Sequence, residues 1–383
     1  MRTLPYLKSD RFTDPYPYYR WYRENLPVDW SEEIEMFCVY KYEDIKHILR
    51  NNDSFTVEYP FRISRQIFGE TLLDIDGEKH QRLRKLTASI FSAENVISIQ
   101  RMIIKPVVEE IINEVSLNNE VEFVRDVAEK LPGRVICRFL DLDENYCDWV
   151  NERIFYLTYH LDGSRGNFET ASRYRLELDD FLTDQFRKSF ALKKDRGFLN
   201  LCSISDAAPF EEILRLGFLL LAAGIETSVC SLSNVVHTLV SYPDCAEKMR
   251  SVDGYIGAFV QEVLRWEPPQ HDTVRFAKED IFVRNTLIPE GTPIKLILAS
   301  GNRDEDIFSD ADQFNPEREK KLNLSFGFGT HACLGKFFAS KEMETLLSEL
   351  TNRFSVISFS GDKPDPVTGY SFRKPERLLL TFE

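Results

Sequence analysis

The chain has 383 residues, with 48 basic and 62 acidic side chains and a formal charge of −14. So acidic a chain is a poor general nucleic-acid binder, because that affinity rests on neutralising phosphates. With 29 Phe, 15 Tyr and 4 Trp it also holds too much apolar bulk for disorder. The longest apolar run, 216–225, is about half of the ~20 residues that a membrane-spanning helix needs. The opening MRTLPYLKSDRF has no apolar stretch of signal-peptide length. The expectation is a monomeric cytoplasmic protein without a membrane span.

In chain order, the first sixty residues mix a short helix, a strand-like piece at 37–40 and the helical EDIKHILR at 43–50. An aromatic-rich loop is expected over 55–73. From 78 to 242 the pattern is mainly helical, and Pro106 predicts a kink or a shifted helix boundary. The longest apolar helix starts near Pro209 and stops before Pro243. It is apolar nearly all round, the mark of a helix buried on every side. A helix at 255–267 ends at Pro268-Pro269. Short strands follow (IFV, PIKLILAS), then an irregular stretch over 301–323, a last helix near Leu334 and strands from about Phe354. No linker, repeat or low-complexity tract divides the chain. The reading is one mainly α domain, 1–383, with a minor β component.

Seven cysteines with no C-x-x-C spacing offer neither a zinc ribbon nor a redox dithiol. Most read as small buried hydrophobes in a reducing compartment. Cys333 differs. It sits in Phe326-Gly-Phe-Gly-Thr-His-Ala-Cys333-Leu-Gly335, where two glycines allow tight geometry before the thiol. A helix starting behind it aims free N–H groups and its positive end at the sulfur, which lowers a thiol's pKa and favours the metal-ligating thiolate. Gly335 lets backbone approach what the sulfur binds, Phe326 can exclude water, and His331 offers a donor to an anionic group.

These residues resemble the haem-binding signature of the cytochrome P450 superfamily, F-x-x-G-x-x-x-C-x-G, at all four fixed positions: Phe326, Gly329, Cys333 and Gly335. The resemblance implies the P450 fold and haem b with Cys333 as its axial ligand; thiolate ligation is a general property of that haem class. Other family motifs follow in order. Of four E-x-x-R matches, only Glu262-Val-Leu-Arg265 lies on an amphipathic helix ending in Pro-Pro with Phe314-Asn-Pro-Glu-Arg318 downstream. By resemblance, Glu262, Arg265 and Arg318 form a triad bracing the Cys loop. Ala223-Gly224-Ile225-Glu226-Thr227 matches the oxygen-activating motif, which implies that Thr227 steadies dioxygen or a water and Glu226 relays protons. His80 and Arg84 (H-x-x-x-R), Arg275 and His331 become candidate donors to the haem propionates, with Ala223 and Gly224 beside the cofactor.

By family geometry the substrate pocket would draw on the 55–73 loop (Phe61, Phe68), on Leu220, on His271 and Val274, and on Phe372. Arg82, Lys85, Lys336 and Lys341 would form a basic patch steering an acidic ferredoxin or flavodoxin, served by its own reductase. The resulting expectation is a monooxygenase using dioxygen to hydroxylate or epoxidise a small organic substrate in a biosynthetic pathway. A peroxide-driven or oxidative-coupling enzyme, or a non-catalytic auxiliary relative, is the alternative.

Overall fold

The computed structural model describes residues 9–59, 62–117, 120–161, 167–191, 198, 208–361 and 364–383. The principal helices in chain order are α1 (Tyr16–Asn25), α2 (Tyr42–Arg50), α3 (Ile63–Phe68), α4 (Gly77–Ile90), α5 (Ala93–Ile99), α6 (Lys105–Val115) and α7 (Leu131–Phe139). They continue with α8 (Cys147–Leu161), α9 (Phe168–Ala191), α10 (Phe210–Gly224), α11 (Glu226–Ser241), α12 (Asp244–Ser251), α13 (Tyr255–Trp266) and α14 (Lys336–Arg353). The chain divides into two compact units.

Unit one comprises Met1–Tyr59, Val252–Cys333 and Asp365–Glu376. Its sheet has strands β1 (Val28–Ser31), β2 (Met36–Val39), β3 (Phe55–Thr56), β4 (Thr273–Ala277) and β5 (Pro293–Leu296), in the order β1-β2-β5-β4-β3. Only the β2–β5 pair is parallel, with Cys38 opposite Lys295. Helix α2 follows from its pattern: Ile45, Ile48 and Leu49 recur at i, i+3 and i+4 and are all buried, while Glu43 and Asp44 suit the positive N-terminal turn. Its apolar stripe joins Phe55, Ile294, Leu296, Phe308 and Leu324 in one core. Each such side chain contributes ~1.5–3 kcal/mol when fully buried.

Unit two comprises Pro60–Ser251, Leu334–Pro364 and Arg377–Glu383. It is nearly all helix, with one three-stranded antiparallel sheet of Val121–Glu122, Leu379–Phe382 and Ile357–Phe359. One departure from the sequence reading and one choice between its alternatives are informative. The 55–73 segment is not loop throughout, since it contains β3 and α3. Pro106 stands at the start of α6, directly after a π-helical turn at Gln100–Ile104, so it shifts the boundary.

The long apolar helix breaks at Ile225 (φ −84°, ψ −67°) into α10 and α11. The Thr227 hydroxyl donates to the Ala223 carbonyl at 2.6 Å and competes for that acceptor, which loosens the backbone ladder. Residues 210–241 together are long and apolar enough to cross a membrane by length and composition, an 18-residue window within them reaching a mean hydropathy of 1.7. However, 72% of that window is buried within the fold, as a core helix requires. The apolar run 216–225 is only the middle of this segment.

Candidate active site

In unit one the Cys loop is closed by its own backbone. The Cys333 N–H donates to the Phe326 carbonyl at 2.7 Å, and Gly327 N–H to Leu324 O at 2.7 Å. Gly327 and Gly329 have φ of +64° and +74°, open to glycine at no steric cost. Gly329 has a second reason: a Cβ there would stand 2.4 Å from the Leu49 carbonyl oxygen on α2. Phe328 packs on the unit-one core and Thr330 Oγ1 accepts from Asn52 Nδ2 at 2.7 Å, so α2 backs the loop. The thiol stays outside this packing. Cys38, Cys137, Cys147, Cys230 and Cys245 are buried, whereas Cys333 is exposed; Cys202 lies outside the described residues. His331 and Phe326 are half-buried beside it in the chain.

Beneath the loop, Arg265 grips Glu262 with both prongs, Nε to Oε2 at 2.8 Å and Nη2 to Oε1 at 2.7 Å. Arg318 Nε reaches the same Oε1 at 3.2 Å, and so does the Asn315 N–H at 2.9 Å. The remaining Arg265 donors go to the carbonyls of Asn302, Ala311 and Gln313. Asn302 in turn accepts the Leu324 N–H and donates to Ser325, which fixes the entry to the Cys loop. The structure therefore brings Glu262, Arg265 and Arg318 together, and adds Asn302, Asn315 and Ser325. Asn315 lies in the Phe314–Arg318 segment already singled out, but the roles of all three show only in the fold, because each acts on chain distant in sequence.

In unit two the break between α10 and α11 exposes Ala223 and leaves Gly224 and Thr227 half-buried, while Glu226 is buried. Gly224 packs close to α7, where a Cβ would meet Ile136 Cδ1 at 3.2 Å. The Glu226 Oε1 lies 3.6 Å from Cys230 Sγ one turn on. His80 is buried on α4, and Arg84, one turn later, is half-buried. Phe68 is buried against Phe218, and Leu220 is half-buried. Gly335 caps α14, and a Cβ on it would meet nothing within 4 Å.

Each unit by itself holds residues that suit haem: unit one has an exposed thiol on a backbone-locked loop, with Arg275 and His331, and unit two has open space at Gly335, with His80 and Arg84. Comparison with known proteins decides the class. The cytochrome P450 family model matches residues 254–382. The chain is 28% identical to 6-deoxyerythronolide B hydroxylase of Saccharopolyspora erythraea, over 96% of this chain and 95% of that one. It is 28% identical to the biotin biosynthesis cytochrome P450 of Bacillus subtilis, over 98% of both. The crystal structure of P450BioI with an acyl carrier protein bearing hexadec-9Z-enoic acid superposes with a TM-score of 0.89. That likeness holds at 26% identity and covers 98% of this chain and all of the other. The chain belongs to the cytochrome P450 family.

Its fold is the P450 fold, and it is an enzyme of the monooxygenase class. Within this P450, three expectations need correction or restriction. His271 is no pocket residue: it is fully buried, with Nδ1 3.2 Å from the Tyr19 hydroxyl and Nε2 3.5 Å from Glu267 Oε1. Burial lowers its pKa to about 4 against the pull of Glu267, so the ring is neutral at pH 7. Burial acts to raise the Glu267 pKa, but hydrogen bonding from His271 and the charges of Arg373 and Arg303 outweigh it and hold the group near 2. Arg82 is not simply part of a basic patch, since it forms a two-pronged pair with Glu212. Phe61 lies outside the described residues. Of the other pocket candidates in unit one, Val274 lies on β4 and Phe372 is bridged to Gln270. Arg275 is buried, with Nη1 donating to the Val274 carbonyl at 2.9 Å.

Proposed function

We propose that this P450 binds haem b through Cys333 and uses dioxygen to hydroxylate or epoxidise a small organic substrate in a biosynthetic pathway. The whole chain, 1–383, then serves as one catalytic domain. The single observation that carries the reading is the exposed thiol at the end of a backbone-locked loop. Bound haem supplies the activation of dioxygen. Phe326 shields the sulfur from water, and Gly335, Ala223 and Gly224 leave room for the macrocycle. Arg84, Arg275, His80 and His331 would hold its propionates. Thr227 presents its hydroxyl to oxygen or a water, and the buried Glu226 delivers the protons. That acid–alcohol pair favours the dioxygen route over a peroxide-driven one.

Phe68, Leu220, Val274 and Phe372 contact the substrate in this reading. The likeness to P450BioI makes an acyl chain on a carrier protein the first tethered substrate to test beside free compounds. Electrons come from a separate acidic ferredoxin or flavodoxin, and the enzyme is cytoplasmic and monomeric. The test is the reduced carbon monoxide complex of the haem-loaded protein. A strongly red-shifted Soret band, abolished by Cys333→Ala, supports the reading; its absence in the wild type overturns it. A spectral-shift screen of free and carrier-borne compounds then sorts substrates.

A further inference from the structure

Unit two holds a cavity of about 320 Å³, the size of a small-molecule site, lined by none of the residues assigned above to haem. Its walls come from the 70–75 segment, α4, α9 and α10. Leu72, Ile75, Leu83 and Leu216 form an apolar side, and all four are buried. The other side is charged. Glu70 there takes both Lys79 and Arg65, and Glu212 takes both prongs of Arg82. Arg215 is held by Asp179 at 2.8 Å and by Glu211 at 3.0 Å.

Arg175 is the least satisfied cation of this set. Its one ion pair among the described residues runs from Nη2 to Asp179 Oδ2 at 3.3 Å, on a carboxylate that Arg215 already uses. Its buried Nε has no hydrogen-bond partner. Gly69 makes room for the guanidinium: its φ is +75°, and a Cβ there would stand 3.0 Å from Arg175 Nη2. Five cations in this linked set meet four carboxylates, Glu70, Asp179, Glu211 and Glu212, so one positive charge is in surplus. A guanidinium has five donors and no acceptor, and a carboxylate matches its fork with two parallel bonds. A dianion such as phosphate would be repelled by Glu70, Glu211 and Glu212 on the same walls.

The apolar side gives the ligand a direction. Leu216, Leu220 and Ala223 stand at i, i+4 and i+7 and share one face of α10, with Ala223 about 10 Å along the axis from Leu216. Leu220 is half-buried and Ala223 exposed, so that face is open within unit two.

We propose that Arg175 anchors the carboxylate of an amphipathic monocarboxylic acid whose apolar chain lies along the Leu216–Leu220–Ala223 face. The acid site stands on unit two alone. That the chain is a substrate, oxidised at the end remote from its carboxylate, rests on the monooxygenase reading. A thioester on a carrier has no carboxylate to offer, so the site selects free acids among the compounds to be screened.

The experiment titrates the haem-loaded protein by calorimetry with butanoate, octanoate and dodecanoate and with their primary amides. Wild type should bind octanoate at least ~10-fold more tightly than octanamide at low ionic strength, a preference that salt weakens. Affinity should rise by up to about fourfold per methylene from butanoate to octanoate. Arg175→Gln should erase the acid preference, and Arg175→Lys should restore part of it. The wild-type preference and its salt dependence need no variant, so the test holds even where a variant misfolds. Dodecanoate should also shift the Soret band of the resting protein, and butanoate should not. Equal affinity for octanoate and octanamide, or a preference that survives Arg175→Gln, overturns the proposal. So does a Soret band that no acid shifts in a protein whose reduced carbon monoxide complex is red-shifted. An acid preference controlled by Arg175 without that red-shifted band would instead sink the monooxygenase reading and leave the acid site standing.

Discussion

Arg265 Nε and Nη2 lie 2.8 and 2.7 Å from the two oxygens of Glu262, and both residues are buried. A pair three residues apart on one helix is worth a few tenths of a kcal/mol at a surface. This one is different, because Arg265 also satisfies three backbone carbonyls of the 302–313 segment. Removing one partner leaves a buried charge uncompensated, at a cost of ~3–5 kcal/mol. Arg265→Ala and Glu262→Ala should each lower the unfolding free energy by that amount, read as a lower urea midpoint, and deplete haem in the purified protein. Midpoints within error of wild type would mean that the pair is dispensable.

Gly329→Ala should be nearly as damaging. A non-glycine residue held at positive φ costs ~1–3 kcal/mol, and the added Cβ overlaps the Leu49 carbonyl. At Gly335, where a Cβ meets nothing within 4 Å, the same substitution should leave the urea midpoint unchanged. Haem retention after gel filtration distinguishes the two, since Gly335→Ala takes space that the cofactor would use.

The neutral His271 predicts acid lability. Its pKa falls from 6.5 to about 4 on folding, so only the unfolded state gains a proton as pH drops through that window. Stability should fall about tenfold in folding constant per pH unit from 6.5 to 4. Glu267, held near 2 from an ordinary 4.5, extends the loss as pH falls from 4.5 to 2. His271→Gln should flatten the upper part of the profile, and urea midpoints taken at half-unit steps of pH check it. An unchanged slope in the variant would refute the assignment.

These residues also show where sequence reading stops. The Cys loop was legible because its chemistry is local: glycines, an aromatic, a thiol and a helix start lie within ten residues. The α2 stripe was legible for the same reason. His271 misled because its partners Tyr16 and Tyr19 lie some 250 residues upstream, and only the folded chain reveals that they fill its coordination. The break at Ile225 was not legible in a helix read as continuous, because the competition of Thr227 for the Ala223 carbonyl is a matter of geometry.

Glu226 and Thr227 should matter for turnover more than for folding. Proton transfer by a positioned side chain contributes typically ~10²–10⁴-fold. Glu226→Gln should therefore lower turnover by at least tenfold and raise the solvent isotope effect, with the carbon monoxide spectrum intact. Thr227→Ala frees the Ala223 carbonyl and should reduce product formed per electron consumed. Full turnover in both variants would remove them from the proton path.

The basic surface gives a graded test of partner docking. Lys336 and Lys85 are exposed, whereas Arg82 is offset by Glu212 and Lys341 pairs with Glu344. Attraction of an acidic electron carrier depends on uncompensated charge and fades with salt. Lys336→Glu should thus slow reduction by an acidic ferredoxin ~10-fold or more at low ionic strength and flatten its salt dependence. Arg82→Glu should act more weakly, because it exchanges one member of an existing pair, although it sets two carboxylates side by side. Stopped-flow reduction across a salt series measures both. Equal effects, or none, would show that the carrier docks elsewhere.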